Sequence, residues 1–182
     1  WPVPKPAARR EHDVPSRFPR LKNFLLVAAA LLLVVVFGPR MCRSQLLDRG
    51  SPAPAFSVPL LQENGRLTLG DLRGKPAVLF FWAVWCPHCK RMLPGLVALA
   101  RERPGVRFVT IHADGQVDPA DIEHAVRPYA GLTHALDGER ILGSYRVDTF
   151  PSTYVIDAQG KICAGFVGSV STDAVAHALD GC

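Results

Sequence analysis

Two cysteines separated by a proline and a histidine, Cys86-Pro87-His88-Cys89, are the residues of this sequence best placed to do chemistry. They follow the apolar run Ala77 to Phe81, which reads as a buried strand. They precede Arg91 to Arg103, whose apolar residues recur at helical spacing. The first turn of a helix has unpaired backbone N–H groups and the positive end of the helix dipole, and both stabilise an anion. Cys86 is therefore expected to be partly thiolate at neutral pH. Pro87 suits the first helical position, where its missing N–H costs nothing, and Cys89 lies one turn on, within reach of a disulfide. A thiolate that attacks a disulfide, beside a second thiol that resolves the mixed disulfide, makes a dithiol redox site.

Other chemistries fit these residues less well. A closed zinc site needs four ligands, and no second C-x-x-C or H-x-x-x-H is present. Covalent haem attachment needs a histidine directly after the second cysteine, and that residue is Lys90. A purely structural disulfide leaves the strand-to-helix setting behind Trp85 unexplained. The alternative from another class is a copper-binding or metal-handling protein using Cys86, Cys89 and His88, because soft thiolates suit Cu(I). No bound cofactor and no resident metal are implied.

Trp85-Cys86-Pro87-His88-Cys89, Pro94 inside the following helix, and Thr149-Phe150-Pro151-Ser152-Thr153 ahead of an apolar strand together resemble the thioredoxin superfamily. Gly65 to Gly74 before the core strand, and an apolar segment earlier still, resemble more narrowly the membrane-anchored TlpA, ResA and CcmG group of bacterial thiol-disulfide oxidoreductases. The resemblance covers about residues 50–180. It implies an α/β thioredoxin-like fold, a central mixed sheet flanked by helices, with an N-terminal β-hairpin. It also implies that Pro151 is a cis proline opposite the dithiol, leaving the backbone of Phe150 free to pair with an incoming peptide. Trp85, Phe150 and Pro151 would then form the substrate-facing surface, Pro87 and Pro94 would shape the helix, and the substrates would be protein thiols or disulfides. A membrane or periplasmic redox partner and a role in cytochrome c maturation or periplasmic disulfide handling are consistent with that group.

His88 can stabilise a thiolate on Cys86, which makes the disulfide a better oxidant, and its Pro-His setting resembles the oxidising DsbA proteins. Two positions depart from the resembled families. Phe80 stands where thioredoxins carry a buried acid, and Met92 stands where the TlpA group often has a glutamate. Without either carboxylate, His88 or a water must take the proton from Cys89. The expected potential is less reducing than thioredoxin's, which is about −270 mV.

The elements that must position these residues follow from local signals. Asn64-Gly65 between Phe56–Leu61 and Arg66–Leu69 marks a hairpin, and Val106–Ile111 reads as a second core strand. Asp118-Pro119 starts a helix running to Arg127, Glu139–Tyr145 gives a short one, and Asp173–Leu179 closes the chain as a helix capped by Ser171 or Thr172. Thr153–Asp157 and Ile162–Val167 read as an antiparallel pair joined at Gln159-Gly160.

The chain of 182 residues begins with Trp1 rather than Met. Residues 1–20 are proline- and arginine-rich and read as a disordered basic tail. Phe24 to Phe37 is an unbroken apolar stretch; with its flanks, residues 21–41 read as an uncleaved transmembrane signal anchor, because Gly38-Pro39-Arg40-Met41 resembles no cleavage site. Residues 42–55 read as a linker and 56–182 as the redox domain. Six basic residues precede the apolar stretch Phe24 to Phe37 and three follow it, so the tail is expected in the cytoplasm of a bacterium and the redox domain outside its inner membrane. The net charge of +5 reflects that topology: eight Lys or Arg against two acids lie in residues 1–43, and thirteen against fourteen lie beyond. A nucleic-acid partner is therefore not expected.

Three cysteines lie outside the motif. Cys163 and Cys182 can meet if the last helix folds back along the last strand; equally, Cys163 can be a small buried hydrophobe and Cys182 a free end. Cys42 can be free, acylated or linked to another chain.

Overall fold

The computed structural model describes residues 46–182 apart from 63 and 137, and separately residues 23, 25–29, 31 and 32, which are helical. Residues 1–43 and 44–182 form two separate units. The expected tail and the front part of the expected linker, 42–45, lie outside the described residues, as does most of the expected anchor. Among the described residues no helix is long and apolar enough to cross a membrane.

Strand β3, Ala77–Trp82, is buried along its whole length, which is why its sequence is an unbroken apolar run rather than an alternating one. It pairs in parallel with β4, Arg107–His112, which pairs in parallel with β5, Thr133–Ala135. On its other side it pairs antiparallel with β6, Ser152–Ile156, and β6 pairs antiparallel with β7, Ile162–Val167. The mixed five-stranded sheet has the order β5-β4-β3-β6-β7. Helices α1, Pro87–Glu102, α2, Pro119–Val126, and α4, Thr172–Asp180, pack on the face bearing Val78, Phe80 and Trp82. The short α3, Glu139–Leu142, packs on the face bearing Leu79 and Phe81.

Local chemistry sets the helix ends. Asp118 caps α2 by accepting from Ala120 N–H at 2.8 Å, with Pro119 at the first position, and Ser171 caps α4 by accepting from Ala174 N–H. Helix α1 runs through Pro94, whose ring is exposed. One residue on, Gly95 lets α4 approach closely: a Cβ there would lie 2.6 Å from Thr172 Cγ2. Cys163 and Cys182 form a disulfide that fastens the end of α4 to β7, and Arg103 forms an ion pair with Asp180 beside it.

Part of the expected linker belongs to this fold. Gly50 N–H donates to Ile162 O at 2.7 Å, Ile162 N–H to Ser51 O at 2.9 Å, and Ala53 N–H to Gly160 O at 2.9 Å. The tyrosine pair beneath the sheet holds the same segment, because Tyr154 Oη accepts from Leu47 N–H and Tyr145 Oη donates to Pro54 O. Burial raises the Tyr145 hydroxyl well above its ordinary range and the Tyr154 hydroxyl above its own, so both remain neutral donors. Composition marks residues 50–54 as a turn-rich stretch, but their backbone groups find partners on β7, on the turn before it and on Tyr145. The segment then enters the hairpin of β1, Ser57–Pro59, and β2, Arg66–Thr68. Leu61 N–H donates to His134 O and Leu136 N–H to Pro59 O, so the hairpin closes the outer side of β5.

Candidate active site

The dithiol forms at the end of the central strand, where the chain must leave the sheet and start a helix. Cys86 N–H closes a turn on Ala83 O at 3.0 Å, and Cys86 is the N-cap of α1, with Pro87 at the first helical position. Cys86 Sγ accepts from Cys89 N–H at 3.2 Å, so the sulfur occupies the capping position usually filled by an oxygen. That bond and the helix end stabilise negative charge on Cys86 when the pair is reduced. Cys86 and Cys89 are joined as a disulfide, with Cα atoms 5.3 Å apart. Both are buried, Cys89 completely, among Phe80, Trp82 and Leu93.

Phe150-Pro151 is a cis peptide bond. The register Phe81↔Ser152 sets Pro151 just beyond the paired part of β6, at the same end of β3 as the dithiol turn. The Phe150 ring meets the Trp85 indole edge to face, with centroids 6.0 Å apart. Trp85 is 61% exposed beside the buried Cys86, and its Nε1–H donates to Asp114 Oδ2 at 2.8 Å. That bond, first, and a second from Gln116 N–H hold the Asp114 carboxyl below the usual carboxylate range. An aromatic platform thus lies beside the reactive turn, fixed by a carboxylate on the loop after β4.

His88 is exposed, and its partners are not the cysteine sulfurs. Arg91 Nη2 donates to His88 Nδ1 at 2.7 Å, and Ser169 Oγ lies 3.1 Å from the same nitrogen. With Nδ1 accepting from a guanidinium, the ring carries its proton on Nε2. The thiolate-stabilising role expected of His88 is thus not seen as a contact with either sulfur; its Nδ1 is engaged by Arg91 and Ser169. Phe80 and Met92 are both buried on the face that covers Cys89, which leaves its thiol in apolar surroundings. Among the described residues no cluster of three or more His, Cys, Asp or Glu is arranged as a metal site.

Sequence reasoning missed His112 and Asp114, which reach the dithiol turn from the end of β4, and Arg91 and Ser169, which hold His88. A signal for the first two was available. Side chains just beyond the carboxyl ends of neighbouring parallel strands converge on one site, and the strand ending at Ile111 is followed at once by two polar residues with one alanine between them.

Residues 49–164 match the AhpC/TSA family. The chain is 35% identical over 149 residues to the thiol:disulfide interchange protein DsbE of Pseudomonas aeruginosa, covering 81% of each protein. It is 32% identical over 159 residues to the thiol-disulfide oxidoreductase ResA of Bacillus thuringiensis, covering 81% of this chain and 90% of that one. Among solved structures, it is similar to a DsbE thiol:disulfide interchange protein of Chlorobium tepidum, with a TM-score of 0.65 and 26% identity, over 73% of this chain and 99% of that one. An exposed lipoprotein thioredoxin of Streptococcus pneumoniae superimposes with a TM-score of 0.64, also at 26% identity, over 71% and 100%. The fold that carries the dithiol is thus that of proteins named for thiol-disulfide exchange, and the chain belongs to the AhpC/TSA family of the thioredoxin superfamily, as a thiol-disulfide oxidoreductase of the DsbE and ResA type.

Proposed function

We propose that this oxidoreductase is held at the outer face of a bacterial inner membrane by one N-terminal helix, and that there it exchanges disulfides with extracytoplasmic proteins. One observation carries the choice of protein substrates: the exposed Trp85 indole, packed on Phe150, stands beside the buried Cys86 sulfur and forms an apolar platform suited to a peptide segment. A substrate segment lying across Trp85, Phe150 and Pro151 brings its own sulfur to Cys86. Reaction of the Cys86 thiolate with a substrate disulfide forms a Cys86–substrate bond and releases one substrate thiolate. Cys89 then attacks Cys86, and the substrate leaves with both electrons. The reverse sequence oxidises a substrate dithiol.

Location rests on the apolar stretch Phe24 to Phe37 between basic flanks, and on the Cys163–Cys182 disulfide, a kind of bond that persists in oxidising compartments. Cytochrome c maturation is the role we favour among the periplasmic ones, in line with the resemblance to the TlpA, ResA and CcmG group. The helix end and the Cys89 N–H bond to Cys86 Sγ favour the reduced dithiol, so the potential is expected above thioredoxin's about −270 mV. Trapping tests the reading: Cys89→Ala leaves mixed disulfides unresolved in cells, and partners recovered with it should be extracytoplasmic proteins bearing paired cysteines. Recovery of cytoplasmic proteins alone would overturn the assignment.

A further inference from the structure

The turn that presents the dithiol contains a backbone donor that it cannot satisfy by itself. Cys86 N–H is used within the turn, and the β3–β4 ladder ends at the pair Trp82↔His112, two residues short of Val84. Val84 N–H finds its acceptor in a side chain, His112 Nε2, at 3.3 Å. His112 is 1% exposed, its ring stands edge to face against the Trp82 indole at 5.3 Å, and its backbone is fixed on both sides. Ala113 N–H donates to Trp82 O and Gly138 N–H to His112 O. A Cβ at Gly138 would lie 2.9 Å from His112 O, so the chain before α3 closes directly over this residue.

We infer that His112 is a positioning residue for the dithiol: its neutral Nε2 holds Val84 N–H and thereby fixes the turn that aims Cys86 Sγ at the substrate. An accepting Nε2 requires a ring with a single proton, on Nδ1. Protonation turns the acceptor into a second donor facing Val84 N–H, and the contact fails. Burial pushes the His112 imidazolium down, and this outweighs the pull of the two carboxylates that face it, Asp114 on the following loop and Glu139 at the start of α3. The contact is therefore whole at neutral pH and released only in acid. This rests on dithiol exchange alone, independent of location or substrate.

The test uses the oxidised full chain in detergent, reduced by excess dithiothreitol and followed by tryptophan fluorescence. Dividing each rate constant by the concentration of dithiothreitol thiolate leaves the pH dependence that belongs to the protein. Amide exchange of peptides spanning residues 83–86 is measured in parallel by mass spectrometry. In the wild type, the divided rate is level at neutral pH and falls in acid while exchange at 83–86 rises. His112→Gln, whose amide oxygen accepts at every pH, keeps the neutral rate within about threefold and loses the acid fall. His112→Phe, which fills the space but has no acceptor, raises exchange at 83–86 by about tenfold and slows reduction at every pH. An acid fall that persists in His112→Gln overturns the inference, and so do wild-type exchange and rate in folded His112→Phe. His88 is present in all three proteins, so a fall due to His88 would persist. If His112→Phe does not fold, the His112→Gln profile decides alone.

Discussion

Restoring a base beside Cys89 should speed the step that releases substrate. Met92 lies on α1 three residues beyond Cys89, 7% exposed, and side chains at that spacing have Cβ atoms about 5–6 Å apart. A carboxylate in place of the thioether would reach the Cys89 sulfur directly or through one water. Cys89 is fully buried among Phe80, Trp82 and Leu93, so its thiol gives up a proton reluctantly, and a positioned base typically contributes 10²- to 10⁴-fold. The lower end applies, because a carboxylate at the edge of the core can turn toward water; Met92→Glu should speed resolution by about 100-fold. Lost packing and partial burial of the carboxylate cost about 1–3 kcal/mol, a fall in Tm of roughly 5–10 °C. The assay loads Cys86 with thionitrobenzoate as a mixed disulfide and follows the coloured thiolate released when Cys89 attacks. An unchanged release rate in folded Met92→Glu would refute the reasoning. An equal rise in Met92→Gln, which has the shape without the base, would refute it too.

Two further outcomes follow from features away from the sulfurs. Replacing Cys163 and Cys182 together by alanine opens a loop with a sequence separation of 19, which by chain entropy should cost about 3 kcal/mol in a denaturant titration while the dithiol rate stays at its wild-type value. The Asp114 carboxyl is held below its ordinary range, so its contribution is present above the unfolded value of about 3.9 and is lost as pH falls through the folded value. Denaturant midpoints from neutral pH down to pH about 3 should therefore fall more steeply for wild type than for Asp114→Asn; parallel profiles would show that the Trp85 contact is not linked to this proton.

The sequence was most informative where local chemistry and burial agree. Ala77 to Phe81 could be read as central because only a strand buried on both faces is apolar throughout, and Asp118-Pro119 could be read as a helix start because cap and proline act on adjacent residues. Strand β5 was not legible. Thr133-His134-Ala135 is short and polar at its centre, and it lies in the sheet because Thr110 Oγ1 meets His134 Nδ1 at 2.7 Å and Tyr129 O lies 3.3 Å from His134 Nε2. Helix α3 ends at Leu142 rather than Tyr145, since Arg146 takes a positive φ of 52° and Val147 N–H turns back to Leu142 O. At the site, the two cysteines were visible from spacing alone. The contact of His112 with Val84, 28 positions apart, depends on strand register, which no local pattern encodes.

Residues 50–61 run from the β7 side of the sheet to the β5 side, and this affects the order in which the protein can be assembled. Ser51 is synthesised early, but its partner Ile162 leaves the ribosome near the end of synthesis. Until then the strap has no strand to rest on, and β7, once made, is an open edge able to pair with another chain. Closure of the sheet is thus a late step that joins the earliest and latest parts of the domain, the kind of distant pairing that slows folding. A fragment beginning at Phe56 would never complete it. Such a fragment would keep both cysteines of the dithiol and lose the covering of β7, so its main failing should be self-association during production, with the chemistry of the sulfurs intact.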